Sequence, residues 1–184
     1  TDDGGASIPL GSNTFSFYGE NYTGSSKLYV SSNGLITFRQ EDDFYINTDM
    51  GDVPPEAAIA PLWDDWRTDF TAGGQNDDAV LYKFDIPNNR LIIEWNNVRR
   101  DHVGNNGDGA TFQAILQLNT DGVPGAITFN YVDLGVSNTQ YNNGGSSTVG
   151  IKAASPAGGD RLLISQDDAT NPLLGNHKAI RIVA

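Results

Sequence analysis

The sequence predicts an all-β fold, an antiparallel β-sandwich of about ten or more short strands with little or no helix. Three observations predict it. Nearly every apolar run is short, β-branched or aromatic, and bounded by Gly, Asn, Asp or Pro, which is how strands between turns read. The runs alternate: Leu91, Ile93 and Trp95 share one face of their segment, while Ile92, Glu94 and Asn96 share the other. No segment carries a convincing apolar stripe at i, i+3, i+4 and i+7 over three turns.

The expected strands follow in order. Residues 14–18, 27–31 and 34–38 come first, with Ser32-Asn33-Gly34 as a tight turn in which Gly34 takes a positive φ. Residues 79–85 and 90–98 flank Ile86-Pro87-Asn88-Asn89, where Pro87 presets a turn and the two Asn tolerate the left-handed region. Residues 111–118 and 126–132 repeat the alternation, placing Phe112, Ala114, Leu116, Ile127, Phe129 and Tyr131 on buried faces. Residues 148–153, 161–165 and 178–183 complete the set. The one helical candidate is a single turn over residues 54–59, opened by Pro at its first position. Gly4-Gly5, residues 142–146 and residues 157–159 read as loops, and residues 69–78 as an acidic one. Trp95, Phe112, Ile93, Leu116 and Phe129 are the expected core.

Composition bounds the function. The 184 residues fit one domain, 1–184, able to bury roughly 70% of its unfolded surface without staples. The chain has no Cys, which excludes disulfides and Cys-ligated metals. A net charge of −12 repels nucleic acid and anionic membranes and leaves divalent cations, cationic partners and neutral sugars. No run of 18 apolar residues exists to span a bilayer. The chain opens at Thr1 without Met or signal-peptide pattern, so it reads as a mature or excised piece of something longer.

An ordered set of motifs runs through the middle of the chain. Leu28-Tyr29-Val30-Ser31-Ser32-Asn33-Gly34-Leu35-Ile36-Thr37-Phe38 precedes Ile59-Ala60-Pro61-Leu62-Trp63-Asp64-Asp65. Ile93-Glu94-Trp95-Asn96-Asn97-Val98, Thr111-Phe112-Gln113-Ala114-Ile115-Leu116, Ile127-Thr128-Phe129-Asn130-Tyr131 and Val149-Gly150-Ile151 follow. This order resembles the NIDO domain of nidogen- and tectorin-like extracellular proteins and of bacterial surface proteins. The resemblance implies an extracellular β-rich domain without catalysis. Two departures stand out: Asp64 replaces the Ala of the Trp-Ala-Asp found in animal members, and Trp66-Arg67 follow Asp65 where those members have Val-Asp. With no Cys, the resemblance favours a bacterial surface protein.

The chemistry concentrates in Trp63-Asp64-Asp65-Trp66-Arg67-Thr68-Asp69. Asp64, Asp65, Asp69, Asp77 and Asp78 offer a hard oxygen set for Ca²⁺; against this, Asp65 caps a turn or pairs with Arg67 and the other acids are solvated. Trp66 offers an exposed ring for stacking a neutral glycan, with Trp63 and Trp95 assigned to the core. The stretch over residues 101–109 fails the EF-hand template at Gly104 and reads as a turn-rich loop. His102 and His177, the only histidines, form no zinc motif, and no Gly-x-Ser-x-Gly or phosphate-binding loop occurs. Lys27, Lys83, Lys152 and Lys178 are the candidates for an intramolecular isopeptide crosslink, against the ordinary reading of outward-facing lysines. The expected function is therefore a non-enzymatic extracellular interaction, adhesion or structural domain, secreted or at the cell surface, meeting a protein or glycan. A carbohydrate-binding accessory module of a secreted hydrolase stands second, and an enzyme third.

Overall fold

The computed structural model describes residues 2–69, 77–101, 108–154 and 160–183. Its strands are β1 (Gly5–Phe17), β2 (Glu20–Ser31), β3 (Ile36–Phe38), β4 (Ala58–Trp63), β5 (Trp66–Arg67) and β6 (Ala79–Asp85). They continue with β7 (Arg90–Arg100), β8 (Ala110–Gln117), β9 (Ile127–Asp133), β10 (Thr148–Lys152), β11 (Arg161–Gln166) and β12 (Lys178–Ile182). Two antiparallel sheets of six strands result. One runs β1-β2-β3-β4-β10-β11; the other runs β12-β9-β8-β7, with β5 and β6 both paired to β7. The all-β sandwich is the fold that the alternation predicts.

The β6–β7 hairpin forms as its turn residues require. A single 3-10 turn covers Ile86–Asn88, Asn89 closes it at φ 50°, and the Arg90 guanidinium meets the Asp85 carboxylate at 2.6 Å. Trp95, Phe112, Ile93, Leu116 and Phe129 are all fully buried, so the predicted register holds. Trp95 stacks on Phe112 at 5.0 Å, and its indole N–H reaches across to the Ser31 carbonyl at 2.9 Å. The Tyr131 hydroxyl likewise donates to the Pro61 carbonyl at 2.9 Å. Both bonds tie one sheet to the other. They satisfy the single polar atom of side chains whose burial supplies much of the core energy.

Two expectations fail at β1 and β4. Gly4-Gly5 is not wholly loop, because Gly5 already pairs with Ser31 and β1 runs from there. The helical turn expected over residues 54–59 is absent; Ala58–Trp63 is instead a strand in which every residue is buried. It lies between β3 and β10, covered on both faces, so it has no polar alternation to betray it. Pro61 is tolerated because the β4–β10 register shifts between Thr148 and Gly150, where a bulge spares the missing N–H. Among the described residues, no helix is long and apolar enough to cross a membrane.

Candidate functional site

The turn Ser32-Asn33-Gly34 and the end of β4 build one corner of the sandwich. Gly34 takes φ +76°, and a methyl group on it would lie 2.1 Å from the Leu62 carbonyl oxygen. Glycine is thus required both by backbone conformation and by close approach. Asn33 is fully buried and uses its whole side chain. Its amide nitrogen donates to Asp3 at 2.9 Å and to the Asp43 carbonyl at 2.8 Å. Its side-chain oxygen accepts from the Trp66 backbone at 2.9 Å, and its own carbonyl accepts from the Asp64 backbone at 3.1 Å. The chain beginning, the 42–47 loop and the Trp63–Trp66 segment are therefore held by one amide.

The acids expected to share a calcium ion have different partners. Asp64 is buried, with its carboxylate against the Arg100 guanidinium at 3.2 Å and the hydroxyls of Ser146 and Ser147. Burial pushes its pKa up, while Ser146 and Arg100 pull the other way. Arg100 also lies over the Tyr141 ring at 4.2 Å. Asp69 is exposed and gripped by Arg67, which holds its carboxylate below the usual range. Arg67 reaches Asp101 as well, at 2.8 Å. Asp77 is exposed, 3.9 Å from Arg99, and Asp78 is buried. No three of these five acids meet at metal-binding spacing among the described residues. Among the described residues, the only three-carboxylate cluster of metal-binding spacing is Asp2, Asp3 and Asp65, with oxygens within 4.8 Å of one another. Burial, then the neighbouring Asp101 and Asp3, push Asp65 up to about 6.

Other expected residues are also displaced. Trp66 is 2% exposed, its N–H donating to the Leu62 carbonyl at 2.8 Å and its ring beside Phe112. It presents no face to a sugar, and the stacking platform is corrected to a core residue, as Trp63 and Trp95 are. Of the four lysines, only Lys152 is buried. Its ammonium is held by the Pro54 and Gly51 carbonyls; among the described residues no carboxamide or carboxylate hydrogen-bonds to it, while Asp52, Glu56 and Asp42 lie in electrostatic range. His177 is exposed in the turn before β12, and His102 lies outside the described residues.

The sequence reading missed the loop after β3. Phe44, Tyr45 and Ile46 are 50%, 47% and 63% exposed, three large apolar side chains in succession. Their backbone is nonetheless pinned. The buried Asp42 accepts from the Phe44 N–H at 3.1 Å, and the Phe44 carbonyl accepts from the Trp63 indole at 2.7 Å. Asn47 donates to Thr148 and Asp167, each at 3.0 Å. The only sequence signal was an apolar triplet with no strand partner beside Glu41-Asp42-Asp43.

No curated protein and no solved structure matches the chain. A family model described as NIDO related matches residues 1–181, a span that takes in both sheets and the corner built by Asn33, Gly34 and Asp64. The chain belongs to the NIDO-related family.

Proposed function

We propose that this is a non-enzymatic interaction domain of an extracellular, bacterial surface protein, and that it binds another protein. Family membership over nearly the whole chain supports the extracellular setting. The observation that carries the binding role is the Phe44-Tyr45-Ile46 triplet. Exposed aromatic and aliphatic side chains on a loop fixed by hydrogen bonds lose little entropy on binding, which is what an interface anchor needs. The acids around it favour a cationic partner surface.

Biosensor measurements of the chain against a panel of extracellular-matrix and cell-surface proteins, beside a glycan array, test this. Saturable protein binding weakened by Phe44→Ser with Tyr45→Ser is the expected result. Binding confined to the glycan array would replace it with the carbohydrate-module reading. Turnover in a hydrolase screen that His177→Ala removes would overturn both. Melting the chain in EDTA and in CaCl₂ tests calcium separately; an unchanged midpoint removes the ion from the account.

A further inference from the structure

Among the described residues, one side of the sandwich is open. β1 ends the first sheet and β6 lies at the edge of the second, and a groove of about 320 Å³ runs between them. Ala6, Ile8, Val30, Val80, Tyr82 and Ile93 line it. Register shows that its walls are core faces. Ala6 pairs with the buried Val30, and Tyr82 pairs with the buried Ile93; directly opposed residues share a face. Yet Ala6 is exposed and Tyr82 is 56% exposed. Two inward-facing positions thus lack the cover that their sheet partners have.

Charge distinguishes the two ends of the groove. Gly4 and Thr68 line one mouth, next in sequence to Asp3 and Asp69. Asp3 belongs to the Asp2-Asp3-Asp65 cluster; Arg67, Asp101 and Asp69 lie in electrostatic range of Asp2, with Arg67 the opposing charge and itself paired to Asp69 and Asp101. A second copy of this chain, itself at −12, would meet its own charge at this mouth. Both β1 and β6 begin at the acidic end, so a strand antiparallel to either arrives there with its C-terminal end.

We propose that the β1–β6 groove receives an extended segment of a partner protein as an added antiparallel strand. Alternate apolar side chains of that segment fill the cleft, and basic residues at its C-terminal end lie against Asp2, Asp3 and Asp65. The proposal rests on the protein-binding reading above and adds to it a second surface, apart from the Phe44-Tyr45-Ile46 loop, for contact with the same partner. Among the described residues, Gly5–Ile8 pair on one side only and leave about 13 Å of free edge, room for a segment of about four or five residues. Main-chain hydrogen bonds to the edge supply affinity and the cleft supplies selection.

Fluorescence anisotropy tests it with an amidated peptide of alternating valine and threonine ending in two lysines. Two controls carry the lysines at the N-terminal end, or glutamates in their place. The lysine-ended peptide should bind best, weakening about tenfold with Tyr82→Glu and with Ala6→Arg, and again on raising salt. Circular dichroism melts establish that both variants fold, as two exposed positions allow. Equal binding of the three peptides, or binding indifferent to both substitutions, overturns the groove. So does a dimer in sedimentation that Tyr82→Glu dissociates, since that would make a second copy the occupant. If Tyr82→Glu still captures the protein partner found on the biosensor, the groove proposal falls and the interaction reading stands. If no protein partner binds wild type either, the interaction reading itself has failed.

Discussion

Asp65 and Asp64 are neighbours in sequence with different electrostatic roles. The Asp64 carboxylate is spent on Arg100, Ser146 and Ser147, an internal brace that ties β7 to the loop before β10. Asp65 instead faces Asp2, Asp3 and Asp101, with Arg100 as the opposing charge. Its folded pKa of about 6 lies above the ordinary carboxylate value, so the folded state holds the proton more tightly than the unfolded chain. That contribution to stability is therefore complete below about pH 4 and is lost as pH rises through about 6. Asp65→Asn should leave stability near wild type at pH 4 and exceed wild type above pH 6. Urea unfolding midpoints across that range check it, and a difference that does not change with pH would remove Asp65 from the account.

At the scale of the elements, the turn between β2 and β3 orders the end of β4 through backbone contacts rather than side-chain bulk. Gly34 and Asn33 make those contacts from adjacent positions. Gly34→Ala should therefore lower stability by more than about 1 kcal/mol, since both the positive φ and the Leu62 carbonyl oppose a methyl group. Gly11→Ala, also at positive φ but with open space around it, provides the control. It carries the backbone penalty without the collision and should be the milder change. Equal losses in denaturant melts would mean that the close approach to β4 contributes nothing.

Across the whole molecule, the excess of 23 acidic over 11 basic residues opposes compaction, and several of those acids gather at one end of the open groove. Exposed like charges are screened within about 8 Å at physiological ionic strength. The thermal midpoint should accordingly rise as NaCl is added from a low-salt buffer, and rise less in Asp65→Asn. Calorimetric scans at two salt concentrations check this; a midpoint that falls with salt would show that the Arg67 and Arg100 ion pairs outweigh the repulsion.

Sequence alone determined the fold class, the β6–β7 hairpin and the five core residues, because alternation and turn chemistry are local properties of the chain. A residue such as Trp95 shows its face through its neighbours at i±2 wherever one face of a strand meets water. That logic fails for β4, which is covered on both sides and so carries no alternation. It fails for Trp66 too: flanking Asp65 and Arg67 mark a surface segment, while the indole turns inward onto Phe112. Only the tertiary structure decided which acids are occupied. The partners of Asp64 lie 36 and 82 residues away, and Asp65 meets Asp2 and Asp3 from the far end of the chain. The open groove is likewise a product of sheet order. Tyr82 and Ala6 are inward-facing by register, and their exposure arises because β1 and β6 are edges that no further described strand covers.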